Sequence, residues 1–450
     1  MKLYGRRCSI VVVLFLIVTI AFGAPSYANE FKVGFAKRDI SPQKPVPMWG
    51  YGARHALLSQ GVRDPLFAKG IVIDDGAKKI AIVGMDIGRG PTQEMMDAIR
   101  KAVKEAAGVE FLMIAGSHTH HGPVIELKDE PGKGKGKFDN AVAYSKELPQ
   151  TLIALIKEAA ANVQPAKIGW TSEQVDLNHN RHTKIEPKPV DHELAVVRFD
   201  DLAGKPIAIL VNFAAHPTNL DEMELKFSSE YPGYMQNTVE AGMGTNCMFM
   251  QGASGDLSPD KHGLSMEDYG KAMGEKVIAM AGAIQTAVPA KPSVQGIEDD
   301  FAYQSRVDFS NPFIRGVYGQ GFFPELVAML DEMPNNTVHP HLATVLLNSN
   351  LALVGGSGEF FCQHSIRLKE RVRGAKTLFF GYCDGHHMYF PTIEATSEGG
   401  YGCDPLVSWV SLGAGEEIMN RALINIYTLM GKYEQQKGIG VAGSAALSEK

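Results

Sequence analysis

Four apolar runs in this chain end in residues that carry chemistry. FLMIAG leads into Ser117-His118-Thr119-His120-His121-Gly122-Pro123, and ILVNFAA into His216-Pro217-Thr218. CMFMQGAS leads into Gly255-Asp256-Leu257-Ser258-Pro259, and LALVGGSG into Glu359. In open α/β sheets, ligands bind outside the carboxyl ends of strands. His118 and His120 stand two apart, so an extended segment points both to one face. One of them could ligate a metal while the other serves as acid or base. Each signal is weak alone. A lone His-x-His fits hydrogen-bonded loop histidines, and Glu359 fits a helix N-terminal acid. Together, two imidazoles and a carboxylate form the ligand set of many hydrolytic zinc sites.

Other residue types also fit plain structural roles. Arg181, in NHNRHTK, lies in a polar loop where a surface arginine is ordinary. Tyr389, in HHMYFPT, and Tyr401, in EGGYG, read as packing tyrosines. His386-His387 looks like a metal cluster, but adjacent residues rarely share one metal, so the pair is set aside.

The elements that must position these groups alternate along the chain. Strands are expected at 70–75, 79–86, 110–117, 193–199, 206–215, 246–252 and 351–356. Helices are expected at 91–107, 142–162, 231–243, 265–287, 362–373 and 413–432. This alternation predicts an α/β class, with buried mixed β-sheets flanked by helices and the metal site at strand C-terminal ends. No internal repeat is visible. The stretch 127–140, LKDEPGKGKGKFDN, reads as a mobile surface loop.

Composition closes off other classes. The 450 residues are 45% hydrophobic and 21% charged, too apolar for a disordered chain and too polar for a multi-span membrane protein. Lys+Arg is 44 against Asp+Glu 50, so nothing points to nucleic acid. Residues 1–28 read as a cleavable signal peptide. Lys2, Arg6 and Arg7 precede the apolar stretch Ile10 to Phe22, and Ser26 and Ala28 sit at a cleavage site. The expected location is periplasmic or secreted. Residues 29–432 then form one domain, and 433–450 a flexible tail. Export permits disulfides among Cys247, Cys362, Cys383 and Cys403, while buried free thiols fit equally well.

The ordered series of motifs resembles the catalytic domain of the neutral/alkaline, non-lysosomal ceramidase family. The pieces are VGFAKRDISP, WGYG, SHTHHGP, the NRH segment, NFAAHPT, YPGY, GASGDLSP, GEF, and MYFPT with GGYG, spread over residues 33–402. The resemblance implies a single zinc ion held by His118, His216, Glu359 and Tyr389. It implies that His120 is an acid/base or supporting histidine, and that Arg181 and Tyr401 hold the scissile carbonyl and its oxyanion. Ser258 falls on a serine viewed either as nucleophile or as a lining residue of a zinc-water mechanism. The implied activity is hydrolysis of the amide of ceramide or another N-acyl lipid, with peripheral membrane contact. Hydrolysis of another amide or ester, or a non-catalytic exported binding role, are the alternatives. His121 departs from the family, which has serine there, and GDLSPD departs in its last residue. The family's C-terminal immunoglobulin-like domain is expected to be missing. These departures bear on the substrate more than on the metal site.

Overall fold

A computed structural model describes residues 30–321 and 328–433. The predicted signal peptide, and the predicted tail beyond Tyr433, lie outside the described residues.

The first half of the architecture is built twice. β1 (Lys32–Asp39), β2 (Phe67–Asp74) and β3 (Lys79–Met85) are antiparallel neighbours. Helix α1 (Gln93–Ala107) then crosses to β4 (Val109–Gly116), parallel to β3. Helix α2 (Asp139–Ala161) follows. The pattern recurs from β5 (Gln164–Gln174), past the short β6 (Asn178–Asn180), through β7 (Glu193–Asp201) and β8 (Pro206–Phe213). Here α3 (Glu230–Met243) crosses to β9 (Asn246–Gln251), parallel to β8. The short β10 (Leu257–Pro259) pairs with β6, and α4 (Met266–Ala283) comes next. The eight long strands form one sheet in the order β4-β3-β2-β1-β5-β7-β8-β9. Its two halves mirror each other about the β1/β5 pair. The sequence shows no repeat because the side chains of the halves differ; the connectivity does repeat.

The remaining strands include β11 (Val294–Asp300), the ribbon of β12 (Tyr303–Gln304) and β13 (Thr337–Val338), and β14 (His341–Leu347). They end with β15 (Leu351–Gly356), β16 (Glu359–Phe360), β17 (Lys376–Phe380) and β18 (Tyr389–Phe390). A second sheet runs β11-β14-β15-β17. Helix α5 is Pro312–Gly321. Between β15 and its parallel neighbour β17 lies α6 (Cys362–Arg371), a third strand–helix–strand crossover. Helices α7 (Ile393–Glu398) and α8 (Ala414–Leu429) complete the described chain.

The strands are apolar on both faces because each face meets a different core. In β3, Ala81, Val83 and Met85 pack outward toward α1 and α2. Ile80 and Ile82 face a central core. In β14, Leu342 and Leu346 join the outer core with α6 and α8. Ala343, Val345 and Leu347 face the same central core as β3. Both sheets therefore share their inner faces, and helices cover the outer ones. Local signals set the helix ends. The Thr92 hydroxyl accepts from Met95 N–H at 3.4 Å, and Gly108 closes α1 at φ +65°.

The loop 127–140 is a surface loop, but it is cross-linked. Lys133 pairs with Asp331 at 2.8 Å, and Lys135 with Asp129 at 3.1 Å. All four cysteines that the described residues contain are buried free thiols, which resolves the open choice between disulfides and thiols.

An ion pair between a buried lysine and a half-buried glutamate joins the two sheet halves. Lys69 of β2 reaches Glu240 of α3 at 2.6 Å and the Cys247 carbonyl of β9 at 2.8 Å. Removing one partner strands the other charge. Glu240→Ala is expected to lower stability by about 3 kcal/mol in urea unfolding, and Lys69→Met with Glu240→Leu to recover most of that. Asp86, just past β3, accepts from Phe67 N–H at 2.9 Å and from Gln236. Burial pushes its carboxyl up from 3.8 to about 6, against the pull of Lys69. A raised carboxyl pKa means the folded state holds the proton longer than the unfolded one. Its contribution is therefore full at low pH and is lost as pH rises from about 4 to about 6. Asp86→Asn is expected to flatten stability across that window and to add on the order of 2–3 kcal/mol at pH 7, read by urea unfolding across pH. An unchanged slope would reject the assignment.

Candidate active site

Three loops that leave the parallel crossovers meet at one place. His118 stands two residues beyond β4. Its backbone takes φ +66°, a region that non-glycine residues rarely adopt. The strain is held by His118 N–H donating to Ile87 O at 3.0 Å, and by the ring Nδ1–H donating to Gly88 O at 2.7 Å. Its imidazole stacks on Tyr382, with centroids 3.9 Å apart. His216 stands three residues beyond β8. Its Nδ1–H donates to Ser254 O at 2.6 Å. Glu359 opens β16, which pairs in parallel with β18 so that Glu359 lies opposite Tyr389. Gly255 makes this approach possible, since a Cβ there would lie 2.6 Å from Glu359 O.

These bonds decide the tautomers. With Nδ1 protonated on both rings, both Nε2 atoms carry lone pairs. The two Nε2 atoms are 3.0 Å apart. Glu359 Oε2 lies 3.4 Å from His118 Nε2 and 3.2 Å from His216 Nε2. It is buried and has no hydrogen-bond partner. Three buried lone-pair atoms facing one another fit a cation. Ligands at about 2.0–2.1 Å from zinc stand about 3.3–3.4 Å apart in a tetrahedron. The triangle here has edges of 3.0, 3.2 and 3.4 Å. His120 adds a further nitrogen, its Nε2 3.3 Å from His118 Nε2. His118, His120 and His216 also form a group able to hold a metal.

The local electrostatics suit this role. Burial pushes His216 down to about 3, helped by the charge of Arg181. Burial likewise drives His120 well below the usual histidine range. Burial alone would raise the Glu359 carboxyl, but His118 and His216 beside it hold it well below the carboxylate range. The site thus offers neutral imidazoles at His216 and His120 and an anionic carboxylate at Glu359.

The other residues singled out in the sequence gather here to different degrees. Arg181 follows β6, and its Nη2 lies 3.0 Å from His216 Nε2, 2.9 Å from Gly255 O and 3.3 Å from the Tyr389 hydroxyl. Tyr389 is buried, and its ring meets Tyr401 edge-on at 5.4 Å. Tyr401 is exposed at 65% and stands at the rim. Ser258 lies on β10 opposite His179. Among the described contacts, no hydrogen bond joins its hydroxyl to a base.

Sequence reasoning passed over three features. His386 reaches Glu359 after all, whereas His387 turns away to Ser357. The pair does not share one metal, yet one member belongs to the site. Tyr382 carries the stacking under His118, and its hydroxyl lies 3.0 Å from Ser254 Oγ. Only the pairing of distant strands reveals it. His121 turns away from His118, His216 and Glu359. It is fully buried, with Nδ1–H donating to Glu230 at 2.7 Å and Nε2 accepting from Arg54 at 2.7 Å.

Comparison with known proteins shows the family and the fold. The family model described as neutral/alkaline non-lysosomal ceramidase, N-terminal, matches residues 31–302. Neutral ceramidase A of Dictyostelium discoideum is 23% identical over 302 residues, covering 60% of this chain and 41% of that protein. A neutral ceramidase of Drosophila melanogaster is 24% identical over 283 residues, covering 55% of this chain and 38% of that protein. This chain thus spans well under half the length of these relatives. The crystal structure of neutral ceramidase from Pseudomonas aeruginosa shares the fold at a TM-score of 0.71 and 18% identity, covering 90% of this chain and 75% of that one. With the family model matching more than half of its length, the chain belongs to the neutral/alkaline non-lysosomal ceramidase family.

Proposed function

We propose that this protein is an exported, zinc-dependent amidohydrolase that cleaves the N-acyl amide of ceramide or a related N-acyl lipid. The observation that carries the reading is the triangle of His118 Nε2, His216 Nε2 and Glu359 Oε2, in a chain of this family. These three groups would hold one zinc ion, with Tyr389 as the fourth ligand. A zinc ion there supplies a Lewis acid for the amide carbonyl and ionised water near neutral pH.

The chain's own groups do the rest. Arg181 is fixed by the Gly255 carbonyl, so its guanidinium presents N–H donors beside the ligands without reorganising. That is what a developing oxyanion requires. Tyr401, at the rim beside Tyr389, is a second donor for the same oxygen. His120 is kept neutral by burial and can accept the proton from attacking water and return it to the leaving amine. Water attack is favoured over Ser258 attack, because His120 lies among the ligands while no base is bonded to the serine. Export rests on the basic start and apolar stretch of residues 1–28. The expected surroundings are periplasmic or extracellular, with peripheral contact to the membrane that holds the substrate.

The test is fatty-acid release from a medium-chain ceramide in mild detergent by zinc-loaded protein. Release above a His216→Ala blank is expected. His216→Ala should lose both zinc, by elemental analysis, and activity. Arg181→Ala should keep zinc and slow turnover by roughly 10²–10³. Full zinc content and rate in His216→Ala would refute the ligand set. No release from protein that binds one zinc would move the substrate to another amide or an ester.

A further inference from the structure

His386 is buried, and neither of its ring nitrogens makes a hydrogen bond. A buried, unpaired imidazole costs stability, so its position needs a reason. Its Nε2 lies 3.5 Å from Glu359 Oε1. That oxygen is not the one facing the histidine ligands; Oε2 is. The carboxylate therefore has two sides, with His118 and His216 on one and His386 on the other. The His386 ring cannot easily turn away. It stacks on Tyr382 at an interplanar angle of 17° and meets Trp49 edge-on at 5.4 Å. Its loop is fixed by residues at positive φ on either side, Asp384 at +56° and Met388 at +60°. Met388 O also accepts from Glu359 N–H at 2.8 Å, so the loop grips the same residue through its backbone.

We infer that His386 is a positioning residue for Glu359, closing on Oε1 as an Nε2–H donor so that the carboxylate offers Oε2 alone to the metal. The inference rests on the metal reading of the site given above. A carboxylate left free to turn offers both oxygens and fills a position that water or substrate needs. Partners of this kind, one shell beyond the ligands, set ligand orientation and affinity.

The experiment uses the full chain with cobalt(II) as probe. Affinity is measured by competition with a chromophoric chelator, alongside the visible spectrum of the bound cobalt and the melting curve of the metal-free protein. His386→Ala is expected to bind cobalt about 10–100-fold more weakly. Its visible band should lose intensity as Glu359 becomes bidentate and the coordination number rises. His386→Gln, which keeps a donor at similar reach, is expected to restore both readouts. Unchanged affinity and spectrum in His386→Ala overturn the inference while leaving the metal site standing. Complete loss of cobalt from a variant that melts like the wild type also overturns it, because His386 would then be a ligand itself. Equal defects in both variants with lowered melting reduce His386 to packing and overturn it too. A wild-type protein that binds no cobalt overturns the metal reading, and this inference with it.

Discussion

The structure depends on three lone-pair atoms forced together away from water. His118 Nε2, His216 Nε2 and Glu359 Oε2 sit within 3.4 Å of one another, and none of them supplies a proton to the others. Left alone, such a triangle relaxes by flipping a ring or taking up a proton. Here ring flipping is closed for both histidines, and proton uptake is disfavoured at His216. The Gly88 and Ser254 carbonyls hold the Nδ1 protons, which keeps both rings from flipping. Burial disfavours the imidazolium form of His216. Tyr382 ties the two halves together, with its ring on His118 and its hydroxyl on Ser254. The scaffold holds these donor atoms together in an arrangement consistent with a metal site.

The topology explains why these atoms meet. Three parallel crossovers, through α1, α3 and α6, each leave loops beyond the ends of their strands. The first contributes Gly88 and His118, the second His216 and Ser254. The third contributes Glu359, Tyr382, His386 and Tyr389. In the two duplicated units the roles are exchanged. His118 follows the second strand of the first pair, with its carbonyl partner on the first. In the other unit His216 follows the first strand, with its partner on the second. A common scaffold thus yields two similar histidine settings without similar sequences.

Much of this was legible in the sequence because the strands are apolar on both faces. The expected strand 351–356 coincides with β15, and 79–86 differs from β3 by one residue. Helix ends shifted where capping outweighed periodicity. The expected 91–107 begins at Gln93 because Thr92 caps it, and the expected 265–287 stops at Ala283, ahead of Pro289. The meeting of His118, His216 and Glu359 was legible because each follows an apolar run. It was not legible where it depended on contacts between distant segments. Tyr389 looks like a packing residue until β18 is paired with β16, and its proposed ligand role comes only from the family resemblance. His386 was set aside by a sound rule about adjacent ligands. The rule governs direct ligation and says nothing of the layer behind a ligand.

His121 shows how a departure from the family motif can be absorbed. The resemblance leads to serine there, and a larger histidine beside two site histidines would crowd the ligands if it faced them. Instead the ring turns outward into a buried pocket between Arg54 and Glu230. Arg54 is itself fully buried, and it also donates to the backbone carbonyls of Trp49 and His120. One guanidinium therefore braces the carbonyl of the acid/base candidate and the side chain that follows it. Burying Arg54 costs desolvation, which its many acceptors and the Glu230 carboxylate offset. Glu230 in turn accepts from Asn219 N–H at 2.6 Å, which links the brace to the loop after His216. His121 thus belongs to a polar layer behind His120, with its ring between Arg54 and Glu230 and away from His118, His216 and Glu359. On this geometry, His121 bears on how rigidly His120 is held, and the triangle of His118, His216 and Glu359 stands apart from it.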